Sequence, residues 1–515
     1  MSKSSRIIKN TGFLYIRTVV SLVVNIFTTK ILLEALGVSD YGLYNVVGGS
    51  IAMLGFISAS MSSTTQRFIS HAEGSGNTER VKSIFNNALL IHNVLALLSV
   101  LILLIGGLFF FNGVLSIPEG KQTAAIAVYG CLMVSTVFSI TVVPYEAEIN
   151  AHEDLIFFSI IGIIDVVLKF SIALGVLYSN GDRLIIYAIC MAVESTFVRL
   201  ASQWYCRSHY NECHSIEIRN QYNSSIIREM TSFTGWNTLM TASSMIGLFG
   251  MNLVMNHFFG VKLNAAMGIA TQLSGVLMGL SMNMIKALTP SLVKAEGGNK
   301  RSEMLKISIT GCKFSYLIFS FFGIPVLVYI TPVLTLWLKN VPDMTACFCV
   351  ILLITQMLEQ LTVVLHQSIS AVGNIRNYSI CRSVSNIAPL LLSTSIYCLY
   401  PLQSYWILIN WLIFKGIISG IVNVYYSKII IGLNIRSYLT DVLKPCLTTT
   451  LWSSLVIVMT YNILYNTDLR FLIPFSLSVI ISIPIYYYLA LNREEKIMAV
   501  TMFQTIISKL KIKCL

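Results

Sequence analysis

The residues of this chain that could do chemistry are charged side chains inside long apolar stretches. Arg17 and Lys286 are cations in two such stretches, and Asp165, Lys169 and Glu359 add two carboxylates and a further amine. A charge within a bilayer is costly, so it indicates function unless a neighbour neutralises it or its side chain reaches the headgroups. Four further charges of this kind, for which contacts between helices or with headgroups are the favoured role, are Lys30, Glu194, Lys313 and Lys415.

Polar side chains accompany the two cations at helical spacing. Steps of three and four residues place each set on one face of a helix. The sets are Arg17, Ser21, Asn25 and Thr28; Asn237, Thr241 and Ser244; and Gln272, Gly275, Gly279, Asn283 and Lys286. Three such stripes predict a common wet cavity, whereas close packing of helices through small polar residues is the alternative. The cations favour the cavity, because packing requires neither Arg17 nor Lys286.

The carboxylates lead to two further predictions. Asp165 and Lys169 are four residues apart with the acid first, which is the favourable order for an ion pair on a helix. A self-neutralised structural pair is therefore expected, with a role in ion coupling as the alternative. Glu359, followed by Gln360, is the best single candidate for a coupling carboxylate, and a structural hydrogen bond is the alternative for it.

No catalytic, cofactor-binding or metal-binding pattern occurs in the sequence. It contains no GxSxG, HExxH or Walker A motif, and its 11 cysteines form no CxxC pair and no metal-ligand spacing. The polar stretches between the apolar ones are too short for an external catalytic domain. We therefore expect no enzymatic activity, no cofactor and no metal.

The composition predicts an all-α polytopic membrane protein. Hydrophobic residues make up 55% of the chain and charged residues 11%, with a mean hydropathy of +0.74, whereas a soluble chain carries about 25% charged residues. A spanning helix needs about 20 mostly apolar residues. The fourteen stretches that meet this requirement are 11–33, 42–63, 84–111, 122–144, 156–178, 184–205, 232–257, 263–288, 305–330, 346–368, 378–399, 403–425, 444–465 and 469–490.

The basic residues indicate orientation rather than nucleic-acid binding, although the net charge is +12. If both termini are inside, the inside loops hold 24 Lys and Arg and the outside loops hold 5. Both ends are therefore expected in the cytoplasm. The inside loop 145–155 is an exception, because it holds four acidic residues and no Lys or Arg. From Glu494 onward, apolar residues alternate with lysines, which is typical of an amphipathic helix on anionic lipid.

An internal repeat organises the apolar stretches. Shifted by 223 positions, the chain aligns with itself, so that Gly37-Val38 falls on Gly260-Val261 and Ala72-Glu73-Gly74 falls on Ala295-Glu296-Gly297. A duplicated multi-span chain favours a transporter, because paired halves form a central site that either side can reach. The expected domains are a six-helix bundle in 1–205, a cytoplasmic connector in 206–231, a second six-helix bundle in 232–425, two additional spans in 426–490 and a basic amphipathic tail in 491–515.

One segment after the first apolar stretch resembles a known family. Leu36-Gly-Val-Ser-Asp-Tyr-Gly-Leu-Tyr44 is similar to the LG-x-x-x-[YF]-G-x-[YF] signature of bacterial polysaccharide transport proteins. These are the O-antigen and capsule flippases of the multidrug/oligosaccharidyl-lipid/polysaccharide (MOP) exporter superfamily. The polar run from Ser60 to Arg67, the duplication and the number of spans are also similar to that family. The resemblance implies two pseudo-symmetric six-helix bundles around a central cationic cavity.

The function that the resemblance implies is a flippase in the bacterial inner membrane. It would move an undecaprenyl-diphosphate-linked oligosaccharide to the outer leaflet by alternating access. Arg17 and Lys286 would bind the diphosphate through charge-assisted hydrogen bonds. The polar residues expected to line the glycan site with them are Ser21, Asn25, Asn237, Gln272 and Asn283. We expect a monomer whose partners are this substrate, membrane lipids and other polysaccharide-assembly proteins, and no nucleic acid.

Two other functions remain open at this point. A cation-coupled multidrug or small-solute antiporter of the same architecture would need a buried acidic ion site, and Asp165, Glu194 and Glu359 are compatible with one. A non-transporting membrane scaffold would have no water-accessible cavity.

Overall fold

The computed structural model of the chain describes residues 3–52, 55–111, 120–214, 216–338, 340–464 and 471–497. Every regular element in these ranges is helical. The main helices are α1 (Lys3–Ala52), α2 (Gly55–Gly74), α3 (Thr78–Phe109), α4 (Gln122–Ala151), α5 (Leu155–Leu177), α6 (Arg183–His209), α7 (Ser224–Gly297), α8 (Arg301–Val328), α9 (Ile330–Leu338), α10 (Thr345–Gln360), α11 (Val363–Val372), α12 (Arg376–Leu399), α13 (Trp406–Ile431), α14 (Ile435–Leu464) and α15 (Leu472–Ala490).

The helices confirm the predicted class of polytopic all-α membrane protein. In the part of the chain that the structure describes, 11 helices are long and apolar enough to cross a membrane, and the bent pair α10 and α11 can form a twelfth span. Two of the fourteen predicted spans are not in this set. The stretch 42–63 includes residues 53–54, which lie outside the described ranges. The stretch 378–399 does form a helix, α12, but polar residues such as Arg382 and Asn386 lower its hydropathy.

Two glycines bend the longest helices at positions that the repeat relates. Gly37 in α1 has φ 74°, and Gly260 in α7 has φ 79°. A positive φ is unfavourable for a residue with a side chain, so glycine suits both positions. Each bend divides a long helix into two segments. The same conformation at two sites 223 residues apart supports the internal repeat. Residues 498–515 of the predicted amphipathic tail lie outside the described ranges.

The chain folds into two compact units. Unit 1 comprises Met1–Ala242, Lys286–Met304 and Ser370–Ile380, and unit 2 comprises Ser243–Ile285, Leu305–Ile369 and Cys381–Leu515. In unit 1, the rings of Phe85 and Tyr145 pack edge to face, 5.5 Å apart, in one of the buried clusters. In unit 2, a buried cluster forms around Met255 and Phe348. Each unit therefore has an apolar interior of its own.

Within unit 1, the ends of α2 and α7 pack backbone against backbone. A methyl group at Gly74 would overlap the backbone of Lys294, and one at Gly297 would overlap the backbone of His71. The 223-residue offset pairs Gly74 with Gly297 and His71 with Lys294, so the contact is reciprocal, as at a twofold axis. Glycine permits this close approach because it has no side chain. The contact holds the polar end of α2, where Arg67 lies.

Candidate functional site

Arg17 and Lys286 approach the same aromatic ring in unit 1. The guanidinium carbon of Arg17, on α1, lies 4.5 Å from the centroid of the Phe158 ring on α5. The Lys286 ammonium nitrogen, on α7, lies 3.7 Å from the same centroid. A cation near an aromatic face is attracted by the negative charge density of the ring. The structure therefore brings together the two cations that the polar stripes singled out.

Gly162 provides the space for the Arg17 side chain. It lies one turn after Phe158 on α5, and a methyl group at this position would overlap the Arg17 guanidinium. The guanidinium therefore lies directly against the α5 backbone. A larger residue at Gly162 would displace Arg17 without changing any charge.

The charge of this pair is compensated at a distance. Glu146 on α4 interacts electrostatically with both Arg17 and Lys286, and Asp165 interacts with Arg17. Neither cation forms a hydrogen bond or ion pair with a residue in the described ranges. Arginine has five N–H donors and a lysine ammonium has three. These donors are directed at no described acceptor, so the pair is chemically suited to an anion.

A carboxyl pair lies beside the cation pair. Asp165 and Lys169 form the helical ion pair that their spacing predicts, with Oδ1 2.7 Å from Nζ. The carboxyl group of Asp165 also interacts with that of Glu194 on α6. Glu194 is only 5% exposed. Two carboxyl groups can hydrogen-bond to each other only when one is protonated, because a carboxylate has no donor. Asp165 and Glu194 can therefore hold a proton between them.

The remaining predicted polar residues differ in their surroundings. Asn25 and Gln272 are exposed, whereas Ser21 and Asn283 are half-buried. Asn237 donates a 3.2 Å hydrogen bond from Nδ2 to a backbone carbonyl of α2. The Asn237 amide therefore joins α7 to α2, which is the packing role that was the alternative for these stripes.

Glu359, the best single candidate for a coupling carboxylate, has two cationic neighbours. In unit 2, its Oε1 lies 3.7 Å from the Arg382 guanidinium and 3.5 Å from the Lys415 ammonium. Lys415 also donates to Asn386 Oδ1 at 3.0 Å and to Ser244 Oγ at 3.3 Å. Two cations on other helices therefore neutralise Glu359, and its role as a coupling carboxylate stays a prediction. We call Glu359, Arg382 and Lys415 the Glu359 cluster.

Sequence reasoning missed a basic cavity in unit 1. It has a volume of about 540 Å³ and lies among the ends of α2, α3 and α7 and the turn before α12. Its lining includes four arginines, one carboxylate and three aromatic rings, from Arg67, Arg80, Arg228, Arg376, Glu229, Phe68, Phe233 and Trp236. Arginine binds phosphate through two parallel hydrogen bonds and also stacks on aromatic faces. This lining therefore suits an anion that carries an apolar or ring-shaped group.

Arg67 is the fixed member of the basic cavity. Its Nε donates to the carbonyl of Ser370 at 2.7 Å, and a terminal nitrogen donates to the carbonyl of Ala371 at 3.0 Å. Its guanidinium carbon also lies 4.7 Å from each of two phenylalanine rings. The last carbonyls of a helix carry a partial negative charge and lack partners within the helix. Arg67 therefore caps the end of α11, with hydrogen bonds from Nε and one terminal nitrogen.

The other arginines of the basic cavity are available to a ligand. Arg80, Arg228 and Arg376 are exposed and form no ion pair with a described residue. Burial and the nearby Arg67 and Arg80 lower the pKa of His71 to about 4, so this lining residue is neutral at pH 7. In the sequence, the four arginines contribute only to the charge asymmetry between the loops. They come from distant parts of the chain, and only the polar run that ends at Arg67 was a local sign of the cavity.

Comparison with solved structures identifies the fold. A multidrug-resistance MATE family transporter of the MOP superfamily, in an outward-facing conformation, matches with a TM-score of 0.69 and 14% identity over 82% of this chain and 96% of that one. The chain has the MATE transporter fold. A MATE in its bent conformation gives a TM-score of 0.71 and 14% identity, over 85% of this chain and 97% of that chain.

A third similar structure is a MOP superfamily transporter from Pyrococcus furiosus Vc1. It has a TM-score of 0.69 and 14% identity, and covers 82% of this chain and 96% of that chain. The work on that protein describes a binding pocket of reverse polarity that suggests a different function. No protein-family model and no curated protein sequence matches the chain. At these identities the likeness shows the fold alone, and that fold is one of membrane transporters.

Proposed function

We propose that the chain is a flippase for a lipid-linked oligosaccharide that carries a diphosphate. It would work in the bacterial inner membrane, without catalysis, by alternating access. The observation that carries the proposal is the Arg17–Lys286 pair at Phe158, whose N–H donors have no described acceptor. A cation in the membrane without a fixed partner indicates an anion from elsewhere. A diphosphate offers that charge and several acceptor oxygens.

Such a substrate needs a transporter because of its two-part chemistry. Its diphosphate and sugars would lose their hydration in hydrocarbon, which is prohibitive without compensating hydrogen bonds. Its long lipid tail is stable in the bilayer. A wet site between transmembrane helices can therefore hold the headgroup while the tail stays in lipid, and rocking of the helical bundles changes the side of access.

The basic cavity supports the same class of substrate. Arg67, Arg80, Arg228 and Arg376 all lie in segments that the charge asymmetry assigns to the cytoplasm. A diphosphate headgroup made in the cytoplasm would meet these arginines before it reached the membrane interior. The Pyrococcus furiosus transporter of reverse pocket polarity is also consistent with a MOP fold that serves more than one kind of substrate.

One observation favours a second candidate, a cation-coupled antiporter. The interacting carboxyls of Asp165 and Glu194 can take up or release a proton. The multidrug transporters with this fold make export of an apolar solute a reasonable alternative. In that case Glu194→Gln would abolish proton-driven export of a dye from proteoliposomes, whereas Arg17→Ala would affect it little.

The deciding experiment compares two substrates in proteoliposomes. Purified protein is reconstituted, and a polyprenyl-diphosphate oligosaccharide is placed in one leaflet. Its appearance in the other leaflet is followed by lectin binding. The same glycan on a neutral polyprenyl ether tests the need for the diphosphate. We expect rapid transfer of the diphosphate form only, and loss of transfer in the Arg17→Ala, Lys286→Ala double variant, because its site lacks both cations.

The matched control is Lys30→Ala. Lys30 lies on α1, like Arg17, but its side chain is exposed. This variant should transfer the substrate at the normal rate. Equal transfer of the neutral and diphosphate lipids, or full transfer by the double variant, would refute the proposal.

A further inference from the structure

Unit 1 gathers ionisable residues that the proposed transport cycle does not use. The acidic loop 145–155 supplies Glu148, at the end of α4, and His152, one turn later. A short turn after α6 supplies Glu212. The ligand atoms of these three residues all lie within 4.8 Å of one another.

The histidine is at the centre of this group. Its Nε2 lies 2.6 Å from a carboxylate oxygen of Glu212 and 3.8 Å from one of Glu148. Its other ring nitrogen, Nδ1, lies 3.4 Å from a carboxylate oxygen of Glu73 on α2. The imidazole also stacks on the Tyr210 ring, with centroids 4.1 Å apart and planes 7° from parallel. The ring orientation is therefore held by its neighbours.

Glu148 is the observation that points to a ligand. Its side chain is completely buried, and neither carboxylate oxygen has a hydrogen-bond partner. A buried polar group without a partner is unfavourable, and an ionised one is more so. The nearest cation candidate is His152, which Glu212 contacts more closely. Lys294 lies 2.9 Å from Glu73 and 3.8 Å from Glu153 instead. Glu148 and Glu212 are therefore left to share one histidine.

We propose that Glu148, His152 and Glu212 bind a divalent transition-metal ion such as Zn²⁺ or Mn²⁺. One imidazole nitrogen and two carboxylates are a usual ligand set for these ions, and water would complete the coordination. Glu73 would act as a positioning residue, because a carboxylate on the second ring nitrogen of a metal-binding histidine sets its tautomer and orientation. An ion would also give the buried oxygens of Glu148 the partner that the protein does not supply. The sequence hides this site because Glu212 lies 60 residues after His152 along the chain.

The test is metal binding by the full chain in detergent, after removal of any affinity tag and of bound metal with a chelator. Isothermal titration calorimetry with ZnCl₂, and electron paramagnetic resonance with MnCl₂, measure the affinity and the stoichiometry of metal binding. We expect one ion per chain. Glu148→Gln and His152→Asn should each weaken metal binding by tenfold or more. In the absence of metal, the unfolding temperature of Glu148→Gln should equal or exceed that of the unchanged protein. Glu73→Gln should weaken binding by about 10- to 100-fold.

Two further variants make the result decisive. Glu212→Gln changes a partly exposed side chain on a turn, so it tests the site even if Glu148→Gln fails to fold. The control is His257→Asn, because His257 is an exposed histidine of α7 outside this site, and the variant should bind normally. No binding of either ion, or binding that survives Glu148→Gln and Glu212→Gln, would overturn the proposal. These measurements involve no transport, so they are independent of the proposed function.

Discussion

Two groups of cations in the apolar helices differ in how their charge is compensated. In the Glu359 cluster, Arg382 and Lys415 share a carboxylate, and Lys415 also donates to Asn386 and Ser244. In the Arg17–Lys286 pair, the fixed contact for both cations is one aromatic ring, with carboxylates acting only at longer range. Lys415 therefore has hydrogen bonds within the protein, whereas Arg17 and Lys286 have donors with no described acceptor.

This difference separates a structural role from a binding role. A buried ion pair whose donors are occupied holds helices together, and breaking it leaves an unpaired charge. A pair with unused donors gains little within the protein and can gain much from an anionic ligand. The type of residue does not distinguish the two cases, since each group contains one arginine and one lysine. The hydrogen-bond acceptors around the cations distinguish the two cases.

The two cations of the Arg17–Lys286 pair occupy positions that differ between the two repeats. The 223-residue offset relates Arg17 to Met240 and Lys286 to Ser63, so neither cation has a charged counterpart in the other repeat. The bends at Gly37 and Gly260, in contrast, have nearly the same φ. The two repeats therefore share backbone features but differ in their chemistry.

The largest expected effect is on stability, in a matched pair of lysine variants. Lys415→Ala should lower the free energy of unfolding by about 3 kcal/mol or more, because it leaves Glu359 with one cation and Asn386 without its donor. Lys286→Ala should change it by about 1 kcal/mol or less, because the lost attraction to Phe158 and Glu146 is offset by removal of a buried charge and of its repulsion with Arg17. Thermal unfolding in detergent, followed by circular dichroism, measures both.

Equal destabilisation by Lys415→Ala and Lys286→Ala would contradict the proposed difference between the Glu359 cluster and the Arg17–Lys286 pair. A normal Lys415→Ala protein would show that the Glu359 cluster is also free to rearrange. Expression level is the simplest first measurement, because a loss of this size reduces the amount of folded membrane protein.

A smaller effect should follow from moving Arg17 without removing it. Gly162→Ala introduces a methyl group where the guanidinium lies, so we expect transfer of the diphosphate lipid to fall about tenfold, since small misplacements of binding groups can cost this much. The control is Gly175→Ala on the same helix, where no atom lies within 4 Å of the added methyl group. Normal transfer by Gly162→Ala would show that the position of Arg17 against α5 is unimportant.

The fold class and the cation pair could be predicted because they depend on local patterns. Runs of apolar residues indicated the spans, and steps of three and four singled out Arg17 and Lys286 together with their polar neighbours. The partner ring Phe158 could not be predicted, because it lies more than 100 residues from either cation in the sequence. The two cations beside Glu359 could not be predicted either, because they come from other helices.

The basic cavity and the acidic loop show a second limit of sequence reasoning. Arg67, Arg80, Arg228 and Arg376 were correctly noticed as basic, but their convergence depends on how α2, α3, α7 and α12 end near one another. The acidic loop 145–155 was noticed as an exception to the charge asymmetry, and its partners Glu73 and Glu212 come from other helix ends. In both cases the sequence shows which residues are charged, but it does not show which of them lie close together in the fold.

The smallest expected effect comes from keeping the charge at Arg17 and changing its shape. Arg17→Lys retains a cation near Phe158, so long-range attraction of the headgroup should persist. A guanidinium can grip a phosphate with two parallel hydrogen bonds, whereas an ammonium acts as a point charge. We therefore expect transfer to fall only several-fold, between the wild-type rate and that of Arg17→Ala. The comparison is sharpest with the diphosphate lipid at limiting concentration, where weaker binding reduces the rate directly. A rate for Arg17→Lys as low as that of Arg17→Ala would mean that the fork geometry is essential. A rate equal to the wild type would mean that Arg17 contributes charge alone, as Lys286 does.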